Sequence, residues 1–453
     1  MKKREFLALG GAVPLMLAGC GGDGSGSAPV RLVNASVGYT TGLGFMVNTT
    51  QATTADVPYG SASPFETVEA GTVTTSITVS TTGTTASVST STRNLSKDSR
   101  YSLIAYGYLN ELKSVLLTES TTAPDTGKAN VNVLNTSVDI GAVDVYISPN
   151  PITADPASLA LATQIASSVN GVAQSIFSGV LAGSYYIGVV GAGSVARQVS
   201  DVRFVSPAAV SLVDQQIMTI ILTPGLSGTL ANAILMTQGD SGGTVSYVNS
   251  TARVRAVSAI NDGRAVAVTS GTGTSTITLL PATAQPNYSE YFVVAAGTAA
   301  TTPTVTIDGT PLTYTGTLAA GGDYTLMVYF TSDTDSTPKV QLLQDDNTAP
   351  IGATGVKFRL INLARSPGLA EHLSMSVNSI LAASNIAYGT ASTYKELAVP
   401  QTTASVVAVL NGATTVKTLD PPQVLQAGRI FTEIVIDTTT SPVQDFFLAS
   451  TDA

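Results

Sequence analysis

Charged residues are scarce in this chain of 453 residues, tryptophan is absent, and cysteine and histidine occur once each. Only 11% of the residues carry a charged side chain, against about a quarter in ordinary globular proteins. One cysteine and one histidine exclude a disulfide scaffold, a zinc cluster and haem ligation, and we expect no cofactor. The net charge of −9 offers no basic face to phosphates, so we exclude nucleic acid as a partner. The hydrophobic fraction of 44% is that of a folded chain.

The N-terminus has the order of residues that defines an export signal. Lys2 and Arg4 supply positive charge, residues 6–16 are mostly apolar, and Leu-Ala-Gly-Cys follows at 17–20. This ending resembles the lipobox of bacterial lipoproteins, which implies cleavage after residue 19 and lipid attachment to Cys20. An ordinary signal peptide with a chance cysteine is the alternative. The resemblance predicts a lipid-anchored protein of the cell envelope, and Gly21 after the cysteine favours the outer membrane.

Four related segments recur at intervals of roughly a hundred residues, the size of an Ig-like sandwich. They open at Val30, Val131, Val254 and Phe358, and each alternates apolar with polar residues before a small polar turn. Such alternation predicts a strand with one buried face. We therefore predict an all-β protein of four tandem Ig-like antiparallel β-sandwich domains after a cleaved lipoprotein signal peptide. The predicted boundaries are 1–19 for the signal peptide, 20–29 for a flexible tether, and 30–125, 126–250, 251–352 and 353–453 for the four repeats.

A second echo lies inside two of the repeats, where the turn Tyr59-Gly60 matches Tyr388-Gly389. Together with the openings, with Ala-Val-Asp-Val-Tyr at 142–146 and with segment 342–350, these turns resemble the domain of unknown function 4397. That family consists of tandem β-sandwich repeats in secreted bacterial proteins. The resemblance is good in the first, second and fourth repeats, whereas the third departs from it at 265–268. It implies the fold and an extracytoplasmic location, and it implies no activity.

The sequence Gly-Asp-Ser-Gly-Gly at 239–243 looks like the active-site serine signature of chymotrypsin-like proteases. Ser241 would need a histidine base within hydrogen-bond reach. The single histidine, His372, lies in another predicted repeat, and it follows the serine where the protease order requires it to precede. We therefore interpret the motif as a glycine-rich inter-domain loop and His372 as a surface residue, and we predict no catalytic residues. A serine hydrolase that uses Ser241 is the remote alternative.

Three residues with side-chain oxygens, Asp345, Asp346 and Asn347, follow one another at the junction of the third and fourth repeats. Calcium prefers about six to eight oxygen ligands, so these three, joined by Asp333 and Asp335, are candidates for a calcium site. A polar turn is the alternative, because Asp and Asn favour turns. Acidic residues are sparse at the other junctions, which weakens the calcium hypothesis, and we predict no other metal site.

Tyrosine is the main aromatic residue, with 16 in the chain. Tyr288, Tyr291 and Phe292 lie close enough in sequence to suggest a platform on which the rings of a sugar stack. The alternative is a structural role, because tyrosines in sandwiches commonly pack at strand ends and corners.

These patterns predict a non-enzymatic, lipid-anchored envelope protein that acts as a spacer and interaction module. Its partners would be the membrane, through Cys20, and an envelope or matrix protein or a polysaccharide. The low charge leaves few residues to protect edge strands, which favours side-by-side association in adhesion or matrix assembly. A carbohydrate-binding module on the cell surface is the alternative function.

Overall fold

The computed structural model describes the chain between residues 26 and 449 as β-strands joined by turns, with gaps. The described residues are 26–52, 56–81, 84–137, 139–153, 156–172, 175–193, 201–240, 242–271, 276–297, 302–352, 354–366, 372–419, 421–436 and 444–449. The predictions for Cys20 and Ser241 lie outside them. Within these ranges the only helix is α1 (Pro156–Ala160), and no helix there has the length and apolar character needed to cross a membrane. The all-β prediction is confirmed.

The first two units span residues 27–119 and 128–247. The strands of unit 1 are β1 (Ser27–Ala35), β2 (Gly44–Val47), β3 (Thr50–Gln51), β4 (Glu66–Glu69), β5 (Gly71–Thr81), β6 (Thr84–Leu95), β7 (Arg100–Tyr106) and β8 (Lys113–Glu119). The strands of unit 2 are β9 (Lys128–Asn135), β10 (Val143–Ser148), β11 (Thr163–Val169), β12 (Ser175–Leu181), β13 (Gly183–Gly191), β14 (Val202–Val205), β15 (Val210–Leu212), β16 (Ile217–Pro224), β17 (Ala231–Thr237) and β18 (Thr244–Tyr247). Unit 1 pairs β4-β1-β7-β8 in one sheet and β3-β2-β5-β6 in the other. Unit 2 pairs β11-β10-β13-β14, with β15 also on β13, and β12-β9-β16-β17-β18.

The last two units span residues 251–345 and 355–449. The strands of unit 3 are β19 (Thr251–Ser258), β20 (Val266–Ser270), β21 (Ile277–Thr283), β22 (Asn287–Tyr288), β23 (Phe292–Ala295), β24 (Thr304–Ile307), β25 (Thr310–Leu312), β26 (Asp323–Phe330) and β27 (Pro338–Asp345). The strands of unit 4 are β28 (Gly355–Asn362), β29 (Leu373–Val377), β30 (Ile380–Ile386), β31 (Thr390–Ala391), β32 (Lys395–Ala398), β33 (Val407–Asn411), β34 (Thr414–Thr418), β35 (Ile430–Ile436) and β36 (Gln444–Ala449). Unit 3 pairs β22-β19-β26-β27, with β23 also on β19, and β21-β20-β24-β25. Unit 4 pairs β31-β28-β35-β36, with β32 also on β28, and β30-β29-β33-β34.

One arrangement recurs in all four units. The opening strand lies parallel to a late strand, in the pairs β1–β7, β9–β16, β19–β26 and β28–β35. Parallel neighbours need a long crossover, and the intervening strands, most of them in the second sheet, supply it. The prediction of β-sandwiches is confirmed. The sheets are antiparallel, as predicted, except at this central pair.

The first boundary differs from the prediction, because β1 begins at Ser27, inside the predicted tether 20–29. Its residues Ser27 to Val30 pair with β4. Ala28 is fully buried in the core of unit 1. Burial of this residue explains why the sandwich starts earlier than the alternating pattern indicated.

The opening strands are buried on both faces, so the prediction of a single buried face was wrong. In β1, Val30 and Leu32 point into the core of unit 1, whereas Val33 and Ala35 belong to an apolar cluster that includes residues of unit 2. Successive side chains of a strand point to opposite faces. The second buried face is therefore the outer surface of the sheet, and a neighbouring unit covers it.

Candidate functional site

Two interfaces between units, each with an apolar cluster of its own, gather buried polar groups. Seam 1–2 joins the first two units, and its buried apolar residues are Val33, Ala35, Ile104, Leu117, Leu134, Ile221, Ile234 and Met236. Seam 3–4 joins the last two, and its buried apolar residues are Val257, Ala259, Met327, Tyr329, Ile361, Leu363, Ile434, Ile436 and Leu448. Apolar burial stabilises by about 25 cal/mol per Å². A hydrophobic core of its own therefore holds each pair of units together.

The same three strand positions carry the polar groups on these outer faces. The opening position lies on the first strand of each unit and holds Arg31, Asn132, Arg255 and Arg359. The hydroxyl position is its partner on the parallel strand and holds Ser102, Thr219, Thr325 and Thr432. The residue paired with the hydroxyl position lies on the next strand, and two residues beyond it is the acid position. It holds Glu119 and Asp345 at the ends of β8 and β27, and Gln238 directly after β17. In unit 4 it falls at residue 450, outside the described residues.

Arg31 is the polar centre of seam 1–2. Its guanidinium is 1% exposed and pairs with Glu119 of the same unit at 2.6 Å. It also donates to the Ser102 hydroxyl at 2.8 Å and to the carbonyl oxygens of Thr237 and Gly242 in unit 2, at 2.9 and 2.6 Å. The Arg31 side chain thus donates hydrogen bonds to acceptors in both units, and these bonds fix the orientation in which the units dock.

The glycine-rich motif 239–243 belongs to this seam. It joins the paired strands β17 and β18 inside unit 2, so its predicted position between two units was wrong. The Gly239 N–H donates to Glu119 at 2.9 Å, and Asp240 forms an ion pair with Arg100 of unit 1. His372 is exposed just before β29 in unit 4, as predicted. The described part of the loop contacts unit 1 through its backbone and through Asp240.

Asp345 is the polar centre of seam 3–4. It ends β27 and is 1% exposed. Its carboxylate accepts a hydrogen bond from Arg359 of unit 4 at 2.6 Å, and others from the Thr325 hydroxyl and the Tyr291 phenol of unit 3. Burial raises the pKa of Asp345, but the charges of Arg359 and Arg255 and these hydrogen bonds lower it by more, so the pKa lies below its ordinary value. Asp345 is ionised and forms an ion pair between the units.

The three calcium candidates do not form an oxygen cage. Asp345 is occupied by Arg359, and the Asn347 amide donates to Asp323 at 2.7 Å. Asp346 points outward, where it accepts from the Thr348 hydroxyl at 2.6 Å and from Lys357 at 3.1 Å. Adjacent strand residues alternate in direction, which separates Asp345 from Asp346.

The two further acidic candidates do not complete such a site. Asp335 caps its own turn through Thr337. In the part of the chain that the structure describes, no three Asp, Glu, His or Cys residues are grouped to hold a metal ion. The carboxylates of Asp345, Asp346 and Asp335 accept hydrogen bonds from protein groups instead.

The aromatic platform is also not formed, because Tyr291 is 4% exposed. Its ring lies under the guanidinium carbons of Arg253 and Arg255, at 4.4 and 4.8 Å from the ring centre. Tyr288 is 38% exposed and contacts the ring of Phe446 in unit 4, with centroids 4.8 Å apart. Phe292 packs, half-buried, against the core of unit 3. The sugar-stacking interpretation of these residues was therefore wrong, and the structural alternative holds.

The two matching Tyr-Gly turns dock onto neighbouring units. The Tyr59 hydroxyl is 2.7 Å from the Thr223 hydroxyl of unit 2, and the Tyr388 hydroxyl donates to the Phe330 carbonyl of unit 3 at 2.9 Å. The N–H of the glycine donates to the opening strand of its own unit in both turns. The repeated Tyr-Gly sequence therefore corresponds to a contact between units in both places, which the sequence alone did not show.

Comparisons with known proteins match the first part of the chain to a family. Residues 28–146 match the family described as Domain of unknown function (DUF4397), a range that covers unit 1 and the start of unit 2. Among solved structures, the chain is similar to one described as "The Bacillus anthracis TIE protein". The identity is 10%, the alignment covers 92% of this chain and 76% of that chain, and the TM-score is 0.14. No curated protein matches the chain.

Proposed function

We propose that this protein is a non-enzymatic, lipid-anchored component of the outer membrane whose four units are repeats of one family. The recurrent parallel pair and the shared seam positions support common descent of the units. The two seams support a spacer role, because buried ion pairs and apolar clusters stiffen each pair of units. Burial of Tyr291, its central residue, argues against the carbohydrate-binding alternative.

Side-by-side association with other copies of the chain is the proposed interaction, and the edge strand β6 is the observation that carries it. This strand is 12 residues long and pairs on one side only, with β5. Its one charged residue, Arg93, donates to Ser114 of unit 1, so it does not guard the edge. Natural sheets protect exposed edges with charges, prolines or bulges. The edge has no proline, and its one bulge lies at Val88, between the partners of Ile77 and Thr78. The regular run beyond it, Ser89 to Leu95, is rich in serine and threonine and is suited to pairing with the same strand of another copy.

Anchoring is tested by Cys20→Ala. Several acyl chains on one residue bind a membrane stably, so we expect the variant to leave the membrane fraction and the wild-type chain to remain with the outer membrane. Cell fractionation followed by immunoblotting, together with incorporation of a labelled fatty acid, measures both. Ser25→Ala, beside the proposed anchor, is the control and should remain attached. A wild-type chain without label would refute the anchor, and a labelled chain in the inner membrane would refute the location.

Association is tested by placing lysines on the edge, with Ala86→Lys and Thr92→Lys combined. Like charges brought together along the paired edges should weaken self-association about tenfold, equivalent to about 1.4 kcal/mol. Sedimentation of the unanchored Cys20→Ala chain over a concentration series measures this. Thr72→Lys is the matched control, because Thr72 is exposed on β5, an interior strand of the same sheet. The proposal would be refuted if the unanchored chain stayed monomeric over the whole concentration series. It would also be refuted if Thr72→Lys weakened self-association as much as the edge variant.

A further inference from the structure

Unit 4 carries an acid where the other units carry a core aliphatic residue. Glu433 follows the hydroxyl position on β35, and the residues at this place in units 1 to 3 are Leu103, Ile220 and Leu326. These three lie in the cores of their sandwiches. Glu433 is 3% exposed and shares its side of the strand with the core residues Phe431 and Val435. A carboxyl group in such a place costs free energy, so it calls for a function.

Two reactive side chains meet this carboxyl group at the open edge of the sandwich. Asp445, on the neighbouring strand β36, is hydrogen-bonded to Glu433. Lys417, on the edge strand β34 of the opposite sheet, places its Nζ 2.9 Å from Oδ1 of Asp445. The side chains of Lys417 and Asp445 are 29% and 13% exposed. An amine and a carboxyl group are therefore in contact across the two sheets, with a second, buried carboxyl group beside them.

The surroundings favour the uncharged form of Glu433. Phe447 lies directly across from Glu433 in the strand pairing and stacks on Phe431, with ring centroids 4.8 Å apart. Burial, together with the charge of Asp445 and the hydrogen bond to it, raises the pKa of Glu433 well above its ordinary value. The raised pKa favours the protonated form of Glu433, and this carboxyl group can give up a proton and take one back.

We propose that unit 4 forms a covalent amide between Lys417 and Asp445, with Glu433 as the catalytic acid and base. This self-modification goes beyond the proposed spacer and association functions and does not depend on them. It needs no oxidant, cofactor or second protein, because both reacting groups belong to the same unit.

The reaction balances within the three side chains. A proton passes from the Lys417 ammonium to the Asp445 carboxylate, which leaves a free amine and a carboxylic acid. Nζ then attacks Cγ, so that an N–C bond forms, and Glu433 gives its proton to the hydroxyl that leaves. The Cγ–O bond breaks, water departs, and Glu433 recovers a proton from Nζ. The product is a neutral amide plus one water molecule, and Glu433 ends unchanged.

The bond would tie the last strand of the protein to the opposite sheet. β36 is an edge strand, and its residues Phe446 and Leu448 pack in seam 3–4. Loss of β36 would open both the core of unit 4 and the seam. A covalent link from Asp445 to Lys417 prevents that loss at the place where the sandwich has a free edge.

Tryptic peptide mapping of the purified full chain tests the proposal. The amide blocks cleavage after Lys417, so the expected product is peptide 396–429 joined to peptide 430–453, lighter than their sum by one water molecule. Lys417→Arg, Asp445→Ala and Glu433→Gln should each yield separate, unmodified peptides. Lys357→Arg is the matched control, because Lys357 contacts Asp346 at 3.1 Å but that carboxylate is 53% exposed. This variant should keep the joined peptide.

A second variant separates catalysis from folding. Glu433→Leu restores the residue class that units 1 to 3 use at this position, so it should fold, as circular dichroism will show, and still lack the joined peptide. The proposal is overturned if the wild-type chain yields only separate peptides. It is equally overturned if a folded Glu433→Leu chain forms the amide as completely as the wild type.

Discussion

Asp345→Ala should lower the free energy of unfolding of the paired units 3 and 4 by about 3–5 kcal/mol, the usual cost of removing one partner from a buried ion pair. In the wild type the Arg359 guanidinium lies 2.6 Å from the Asp345 carboxylate. The variant leaves this guanidinium buried in the seam without a counter-ion. The Thr325 hydroxyl and the Tyr291 phenol lose their acceptor as well. Urea denaturation of the full chain, followed by circular dichroism, measures the loss as an earlier transition for these units.

Asp346→Ala is the matched control, because it removes the same side chain from the adjacent residue. The Asp346 side chain is 53% exposed, and its pair with Lys357 lies at the surface. Surface pairs contribute about 0–1 kcal/mol, so the control should change the transition little. Equal effects of the two substitutions would show that Asp345 has no special role in joining the units.

The pH dependence of the difference between wild type and Asp345→Ala gives a second check. The pKa of Asp345 is lower in the folded protein than its ordinary value of 3.8. The stability it contributes is therefore present above that value and is lost as pH falls through the folded pKa. Glu433 has the opposite sign, because its raised pKa makes its contribution decline as pH rises above the ordinary value of 4.5. Both proteins contain Glu433, so its effect cancels, and the difference between them should shrink only in acid.

The fold was predictable from the sequence because strand alternation is a local property. The opening strands at Val30, Val131, Val254 and Phe358 were recognisable from a few neighbours each, and their spacing predicted the sandwiches. The second buried face was not recognised, although Val33 and Ala35 are apolar on the parity opposite to Val30 and Leu32. Apolar residues on both parities indicate a strand covered on both sides.

The polar centres of the seams could not be derived in the same way. Tyr291 and Asp345 lie 54 residues apart and meet when unit 3 folds, whereas Arg359 reaches Asp345 only because unit 4 docks onto unit 3. Asp345 is adjacent in sequence to Asp346 and Asn347, and this proximity suggested a calcium site. A sequence shows which residues are neighbours along the chain, but not which residues meet in space. One signal was available, namely an arginine at the same place in three of the four openings. An arginine among apolar residues of a strand is usually interpreted as solvent-exposed, and here each one is buried.

Gly389→Ala should destabilise seam 3–4 because the turn of unit 4 has no room for a methyl group. Gly389 has a φ of +70°, and a Cβ at this position would lie 2.8 Å from a ring carbon of Tyr329 in unit 3. That ring cannot move away easily, since Tyr329 is 1% exposed and its hydroxyl donates to Gln341 at 2.6 Å. Backbone strain of about 1–2 kcal/mol and overpacking of about 1–3 kcal/mol should add, and a lower melting temperature of the full chain measures them.

Gly412→Ala separates the cost of backbone strain from the cost of overpacking against Tyr329. Gly412 lies in the same unit with a φ of +59°, but a Cβ there would meet no atom within 4 Å. It shares the backbone strain and lacks the clash, so the difference between the two variants isolates the contact between units. We expect Gly389→Ala to lower stability by about 1–3 kcal/mol more than Gly412→Ala. Equal losses would mean that the Tyr-Gly turn serves unit 4 alone, and that the docking of units 3 and 4 depends on Asp345 and the apolar cluster without it.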